Sequence, residues 1–263
     1  MARRLVDQPV TYERRGNAAV LTINRPERRN AIDGPTADQL EVAFENWVSD
    51  DDAKVLVLTG AGLEAFCAGA DLKAIETLHS RVSSEGGPLG FTRRSAPKPT
   101  IAAIEGWAVA GGLELAAWCD IRIASESAKL GCTERRFGVP LIDGGTQRLP
   151  RIVGQGHALD LILSGRVVDA DEALAIGLVS RVVPAGTALA SALELAEQIA
   201  GFPPQAMLAD RESALEAFDR PIAEGLRAEA ERGSAAVIEG SLGAKRFTSG
   251  EGRGGGSIPA QPE

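Results

Sequence analysis

The chain predicts a mixed α/β fold that turns helical toward its C-terminal end, and two observations carry that expectation. Up to about residue 133, short runs rich in β-branched residues alternate with segments whose apolar positions recur at helical spacing, and beyond it helical spacing dominates. The 263 residues, 44% of them hydrophobic, can bury a sizeable core as one large domain or as a domain with an arm. The chain divides into a core over 1–195, a helical region over 196–249 and, over 250–263, a Gly/Pro/Ser-rich tail of disordered composition.

Strands are expected at about 10–13 and 18–24, followed by a helix from Pro35 on which Leu40, Phe44, Trp47 and Val48 recur at helical spacing. The run Val55-Leu56-Val57-Leu58-Thr59 reads as a strand that opens into a small-residue loop and then a helix near Asp71. Segment 80–97 is a wide loop rich in Ser and Gly. Asp120-Ile121-Arg122-Ile123-Ala124 alternates like a half-buried strand, and a short strand-like piece precedes Glu134. A helix, a strand and a hairpin-like return would bring residue 134 back toward 114. Further on, Asp169 with Glu172 forms a capping box, 188–200 has helical spacing, and Pro221 opens another long segment.

Composition excludes several classes of function. A net charge of −8 argues against nucleic acid as a partner, because phosphate neutralisation needs a basic face; the arginine pairs 14/15, 28/29, 93/94 and 135/136 are local exceptions. Cys67, Cys119 and Cys132 form an odd count without metal-ligand spacing, which argues against a disulfide framework or a zinc site and fits a reducing, cytoplasmic setting. The N-terminus meets Asp7 and Pro9 before any apolar stretch of signal-peptide length, and no stretch approaches the roughly 18 apolar residues of a membrane helix. With His79 and His157 as the histidines, and neither Gly-x-Ser-x-Gly nor His-Glu-x-x-His, serine-hydrolase and zincin readings lack support.

Candidate chemistry concentrates at Gly111-Gly112-Leu113-Glu114, one carboxylate inside an otherwise apolar run that follows a glycine pair. A buried carboxylate either finds partners or has its pKa raised toward the range of general acid-base work. Glycines at a turn into a helix leave amide N–H groups free to meet negative charge. The same residues also read as a tight turn and a carboxylate satisfied by a salt bridge. Glu134, twenty residues on and beside Arg135 and Arg136, reads by itself as a solvated loop charge. The run from Gly60 matches a dinucleotide fingerprint after a strand, but no helix opens at Gly62 and no strand ending in an acid lies near residue 80.

Several segments now fall into one order: Asn24-Arg25-Pro26 with Asn30-Ala31, strand-Thr59-Gly60, Phe66-Cys67-Ala68-Gly69-Ala70-Asp71-Leu72, Lys98-Pro99-Thr100-Ile101-Ala102-Ala103-Ile104, Gly111-Gly112-Leu113-Glu114, Gly144-Gly145-Thr146-Gln147-Arg148-Leu149-Pro150 and 173–183. In that order they resemble the enoyl-CoA hydratase/isomerase (crotonase) superfamily, continuously from about residue 10 to 185 and more weakly to about 248. The resemblance implies a crotonase-like spiral of stacked ββα units with a helical C-terminal trimerisation region, assembled as a homotrimer or a dimer of trimers. It implies an oxyanion hole at the amides of Ala70 and Gly111, with Glu114 activating water and Glu134 delivering a proton. The implied reaction is syn hydration of a trans-2-enoyl-CoA, as in fatty-acid β-oxidation, with coenzyme A arriving as part of the substrate and no separate cofactor or metal. An enoyl-CoA isomerase, another acyl-CoA reaction, and a noncatalytic scaffold for acyl-CoA or RNA are the alternatives. For the coenzyme A moiety, Arg25, Arg28 and Arg29 become phosphate candidates and the backbone at Cys67-Ala68 meets the adenine. Asp71, Leu72 and Trp107 complete the implied substrate-binding set.

The chain departs from the family pattern beside the second glutamate. The usual Gly-x-x-Pro-Gly-Ala-Gly-Gly-Thr reads here Gly138-Val139-Pro140-Leu141-Ile142-Asp143-Gly144-Gly145-Thr146, and Cys132 replaces a more usual glutamine. Ile142 would shorten the acyl pocket. Asp143 either adds a third carboxylate or caps the helix beginning near Thr146.

Overall fold

A computed structural model of the protein describes residues 8–249, so the tail expected over 250–263 lies outside the described residues. Strands β1 (Val10–Arg15) and β2 (Ala18–Ile23) form an antiparallel pair around a turn in which Gly16 adopts φ +59°. Helix α1 (Gly34–Val48) starts beside the expected proline, its first turn capped by the Asp33 carboxylate, which accepts from the Thr36 amide.

The chain then runs three similar courses. The first is β3 (Val55–Gly60), β4 (Ala65–Cys67) and a 3-10 stretch over Leu72–Arg81. The second is β5 (Thr100–Ile104), β6 (Trp107–Val109) and α2 (Gly111–Trp118). The third is β7 (Ile121–Ser125), β8 (Lys129–Gly131) and a 3-10 turn over Thr133–Phe137. In each course the first strand joins one sheet and the second strand joins another. A six-stranded sheet has the order β1-β2-β3-β5-β7-β10 and a four-stranded sheet the order β4-β6-β8-β9, where β9 is Val167–Asp169 and β10 is Arg181–Val183. The strands β3, β5 and β7 run parallel, as do β4, β6 and β8. This is the expected spiral of stacked ββα turns.

One local expectation needs correction. The segments at 121–125 and 129–131 are not a hairpin, because β7 pairs with β5 and β10 whereas β8 pairs with β6 and β9. The chain turns a corner between sheets there, and residue 134 approaches residue 114 because β8 stacks on β6. Segment 80–97 is the expected loop, and it is anchored. Its Leu89 and Phe91 are buried, Phe91 stacking on Phe44 at 5.2 Å and meeting Trp118 edge-on at 4.7 Å. Burial of one such ring contributes roughly 1.5–3 kcal/mol.

The remaining helices are α3 (Gly145–Ser164), kinked at Gly154, then α4 (Ala170–Ala175) and α5 (Ala188–Ala200). The Asp169 carboxylate caps α4 by accepting from the Glu172 amide at 3.0 Å. The chain divides into two compact units, Met1–Ala196 and Glu197–Glu263. Within the second, α6 (Pro204–Leu215) and α7 (Ile222–Ser249) are tied by Arg232, whose guanidinium lies 3.2 Å from Glu212 and 2.7 Å from Glu216. Among the described residues no helix is long and apolar enough to cross a membrane.

Candidate active site

The functional segments follow the C-terminal ends of β4, β6 and β8, which lie side by side in the smaller sheet. After β4 the chain forms a single parallel bridge: Ile32 N–H donates to Gly69 O and Asp71 N–H donates to Ile32 O, both at 2.8 Å. Alternation along an extended segment then turns the Ala70 N–H away from Ile32. After β6, Gly111 opens α2, so its N–H is one of the helix's unpaired donors. Neither amide donates to any other described residue. Close backbone approach holds the two together. A Cβ on Gly69 would lie 2.7 Å from the Gly111 nitrogen, and one on Gly112 would lie 1.9 Å from the Cys67 carbonyl oxygen. Between them Ala110 is held at φ +54°, ψ −130°, a conformation that costs on the order of 1–3 kcal/mol for a residue with a Cβ.

Ala70 and Gly111 line a cavity of about 380 Å³ together with Glu114, Glu134 and Asp143. Glu114 sits on the first turn of α2, and its Oε1 accepts from the amides of Asp143 at 3.0 Å and Gly145 at 2.8 Å. No ion pair neutralises it among the described residues, so the salt-bridged reading is set aside. Burial pushes its pKa up to about 8, and the neighbouring Asp143 charge adds to the rise; the two amides oppose it. Glu134 overturns the solvated-loop reading more plainly, being 5% exposed. Neither of its oxygens has a hydrogen-bond partner elsewhere in the described protein, its own amide being the nearest compensating dipole. Burial raises its pKa as well. A buried carboxylate without partners carries a desolvation cost that a purely structural residue would not retain.

Asp143 does not cap α3. The capping residue is Gly144 at φ +101°, and the Asp143 carboxylate points the other way, its Oδ1 accepting from the Leu89 amide at 3.0 Å and from the Thr92 hydroxyl. Ile142 lines the cavity as expected. Ala68 and Leu72 line it too, whereas Cys67 is fully buried beneath, with its thiol pushed up to about 12 by burial.

The phosphate candidates separate. Arg25 is not available, because its guanidinium lies 2.9 Å from Asp33 and 3.1 Å from Asp71 and also donates to the Ala31 carbonyl. Asp71 is correspondingly structural: it holds Arg25 and caps the 3-10 stretch through the Lys73 amide. Arg29 is exposed and pairs with Glu64 at 2.7 Å, and Arg28 is exposed. Trp107 begins β6, partly exposed, outside the cavity lining. Sequence reasoning missed the apolar wall of Ile75, Leu78, Val82, Leu89, Phe137 and Val139. Leu72, Ile75, Leu78 and Val82 recur at three- and four-residue steps, a signal that could have found the first part of the wall, whereas Leu89, Phe137 and Val139 sit in loop and 3-10 segments without such a pattern.

Paired buried carboxylates facing two free amides define an enzyme site for acid-base chemistry on a group that develops negative charge at one oxygen. Comparison with known proteins sharpens that class. Residues 13–244 match the model of the enoyl-CoA hydratase/isomerase family, and the chain belongs to this family. It is 39% identical to (E)-benzylidenesuccinyl-CoA hydratase of Thauera aromatica over 83% of this chain and 86% of that protein. It is 38% identical to the short-chain-enoyl-CoA hydratase of Clostridium acetobutylicum, covering 75% of this chain and 77% of that protein. Among solved structures, enoyl-CoA hydratase from Mycobacterium tuberculosis H37Rv superposes with a TM-score of 0.85 at 34% identity, covering 92% of this chain and 96% of that chain.

Proposed function

We propose that this protein is an enoyl-CoA hydratase, a hydro-lyase that adds water across the double bond of a trans-2-enoyl-CoA. The observation that carries the reading is the unpartnered Glu134 carboxylate facing the same cavity as Glu114 and two free amides. Adding water to the β-carbon drives charge onto the thioester oxygen, where the amides of Ala70 and Gly111 receive it. Each such donor is worth roughly 2.7–4 kcal/mol in the transition state. Glu114, with Oε1 fixed by two amides, removes the water proton through its other oxygen while Glu134 supplies a proton to the α-carbon. Both groups lie on one cavity, which supports syn addition. Water attack needs Glu114 ionised, so the rate climbs as pH rises toward about 8.

The cavity lining contains no lysine or arginine, and His79 is its basic residue. A second carboxylate on the acyl chain would meet three carboxyl groups and an apolar wall, so the substrate is a neutral enoyl group. Coenzyme A enters as part of the substrate, with Arg28 and Arg29 as its phosphate partners and Ala68 and Leu72 beside the thioester arm. The protein assembles through its C-terminal helices as a trimer or dimer of trimers, supported by the exposed Leu215, Phe218, Ile222 and Leu226. Its three buried free cysteines suit a reducing, cytoplasmic setting. The test is hydration of a panel of enoyl-CoAs by the wild type, Glu114→Gln and Glu134→Gln. Turnover should fall by a factor on the order of 10²–10⁴ in each variant, and the double variant should be little worse than the worse single. Near-normal turnover in either single variant overturns the assignment.

A further inference from the structure

Asp143 is tied to two parts of the site, the Glu114 carboxylate and the cavity wall. Its backbone N–H donates to Glu114 Oε1 at 3.0 Å. Its carboxylate reaches across to the wall segment 86–92, where Oδ1 accepts from the Leu89 amide at 3.0 Å and from the Thr92 hydroxyl. Leu89 in turn packs over Gly111, where an added Cβ would lie 2.7 Å from its Cδ1. The bonds of the neighbouring guanidinium groups go elsewhere. Arg148 donates to the carbonyls of Asp143 at 2.9 Å and Thr92 at 2.6 Å, and Arg93 donates to those of Ile142 at 2.9 Å and Val82 at 2.8 Å. The Asp143 carboxylate is thus 4% exposed, hydrogen-bonded by two donors, and without a direct ion pair among the described residues.

We infer that Asp143 is a positioning residue that clamps Glu114 and the cavity wall into one unit, and that through this clamp its carboxylate acts on the Glu114 proton. This rests on the hydratase reading for its consequence in turnover, though not for the titration itself. Burial raises the pKa of Asp143, while its two donors, with Arg93 and Arg148 beyond them, favour the ionised form. Glu114 then feels that charge across the cavity, together with the weaker charge of Glu134. Cys67 from the β4 side, Cys132 from the β8 side and His79 from the 3-10 stretch after Asp71 are the other titratable groups nearby, and burial keeps both thiols neutral. Asp143 thus adds to the burial that holds the proton on Glu114, and Glu114 keeps it until the pH rises. Nothing comparable links Asp143 to Glu134, so a change at residue 143 acts on one member of the pair and moves the balance between them.

The test uses the whole protein carrying glutamate labelled with ¹³C at Cδ, with the Glu114 resonance identified by its loss in Glu114→Gln. Asp143→Asn keeps an acceptor for Leu89 and Thr92 while removing the charge. Its Glu114 titration should move to lower pH by about one unit, and the acid limb of the kcat/KM profile for crotonyl-CoA should move with it. Asp143→Ala also removes the clamp, and should add a rise in KM that Asp143→Asn does not show. An unchanged Glu114 titration in Asp143→Asn overturns the inference, whatever the enzyme turns over. Turnover lowered about 10²-fold or more at every pH in Asp143→Asn also overturns it, since Asp143 would then be a catalytic carboxylate. If Glu114 titrates as expected but no enoyl-CoA is hydrated, the hydratase reading fails while the electrostatic link stands.

Discussion

Gly145 is the residue whose replacement most directly tests how the Glu114 carboxylate is held. A Cβ at this position would lie 2.9 Å from both Cγ and Oε1 of Glu114 and 3.2 Å from Cδ. Ordinary contact begins near 3.4 Å, so Gly145→Ala requires Glu114 to retreat by about half an ångström or more, and the Gly145 N–H···Oε1 bond at 2.8 Å to stretch with it. Glu114 can retreat only toward the cavity it lines, away from the Gly145 amide that holds it. Overpacking of this kind costs about 1–3 kcal/mol of stability, and a misplacement approaching 1 Å costs about 10²-fold in rate. We expect turnover in crotonyl-CoA hydration to fall about 10–100-fold, with KM nearly unchanged because the amides of Ala70 and Gly111 still hold the thioester. The assay is the loss of enoyl-thioester ultraviolet absorbance, with Gly156→Ala as control, since a Cβ there meets nothing within 4 Å. Gly156→Ala should leave kcat unchanged and raise stability by about 0.5 kcal/mol. Full turnover in a folded Gly145→Ala variant would refute the placement of Oε1 against the start of α3.

Two further outcomes follow from the strain and the buried charge. Ala110→Gly removes the Cβ from a φ +54° conformation, and should stabilise the protein by about 1 kcal/mol, read as a rise in Tm of about 2–4 °C; no rise would mean that Ala110 is unstrained. The pKa of Glu114 rises on folding from 4.5 to about 8, so its favourable contribution is fully present below pH 4.5 and is lost as pH climbs through about 8. The Tm advantage of Glu114→Gln over the wild type should therefore grow between pH 5 and pH 9, and a constant difference would show that Glu114 titrates normally.

The parts of the site that follow strands were legible because each strand ends in a recognisable change of residue type. The β-branched run over 55–59 gives way to small residues, and the apolar run of α2 holds one acid behind a glycine pair. Glu134 was legible through resemblance and not through its neighbours, since Arg135 and Arg136 are exposed on a 3-10 turn while Glu134 alone turns inward. Three-residue steps of such a turn separate adjacent side chains more sharply than charge counting can see. Arg25 misled for a related reason. Its basic neighbours suggested an exposed phosphate cluster, but Asp33 and Asp71, 8 and 46 residues away in sequence, enclose it through tertiary contacts. Asp143 had two readings from local sequence, and its partners Leu89 and Thr92 lie more than fifty residues upstream.

The spiral explains why the departure at Ile142-Asp143 falls where it does. The free amides of Ala70 and Gly111 and both glutamates sit after β4, β6 and β8, where parallel stacking fixes their spacing and a change in one turn disturbs the next. Close backbone contacts at Gly69 and Gly112 leave no room for variation there. Residues 142–143 follow the third turn and precede α3, and β9 pairs with β8 only after that helix. They are therefore the segment that touches Glu114 and the acyl wall without carrying the stack. A side chain introduced here can reshape the cavity, as Ile142 does, or alter the proton affinity of Glu114, as Asp143 does, while the two amides keep their geometry. Substrate choice and pH response can thus change together at this one segment, and the two free amides of Ala70 and Gly111 stay as the fold built them.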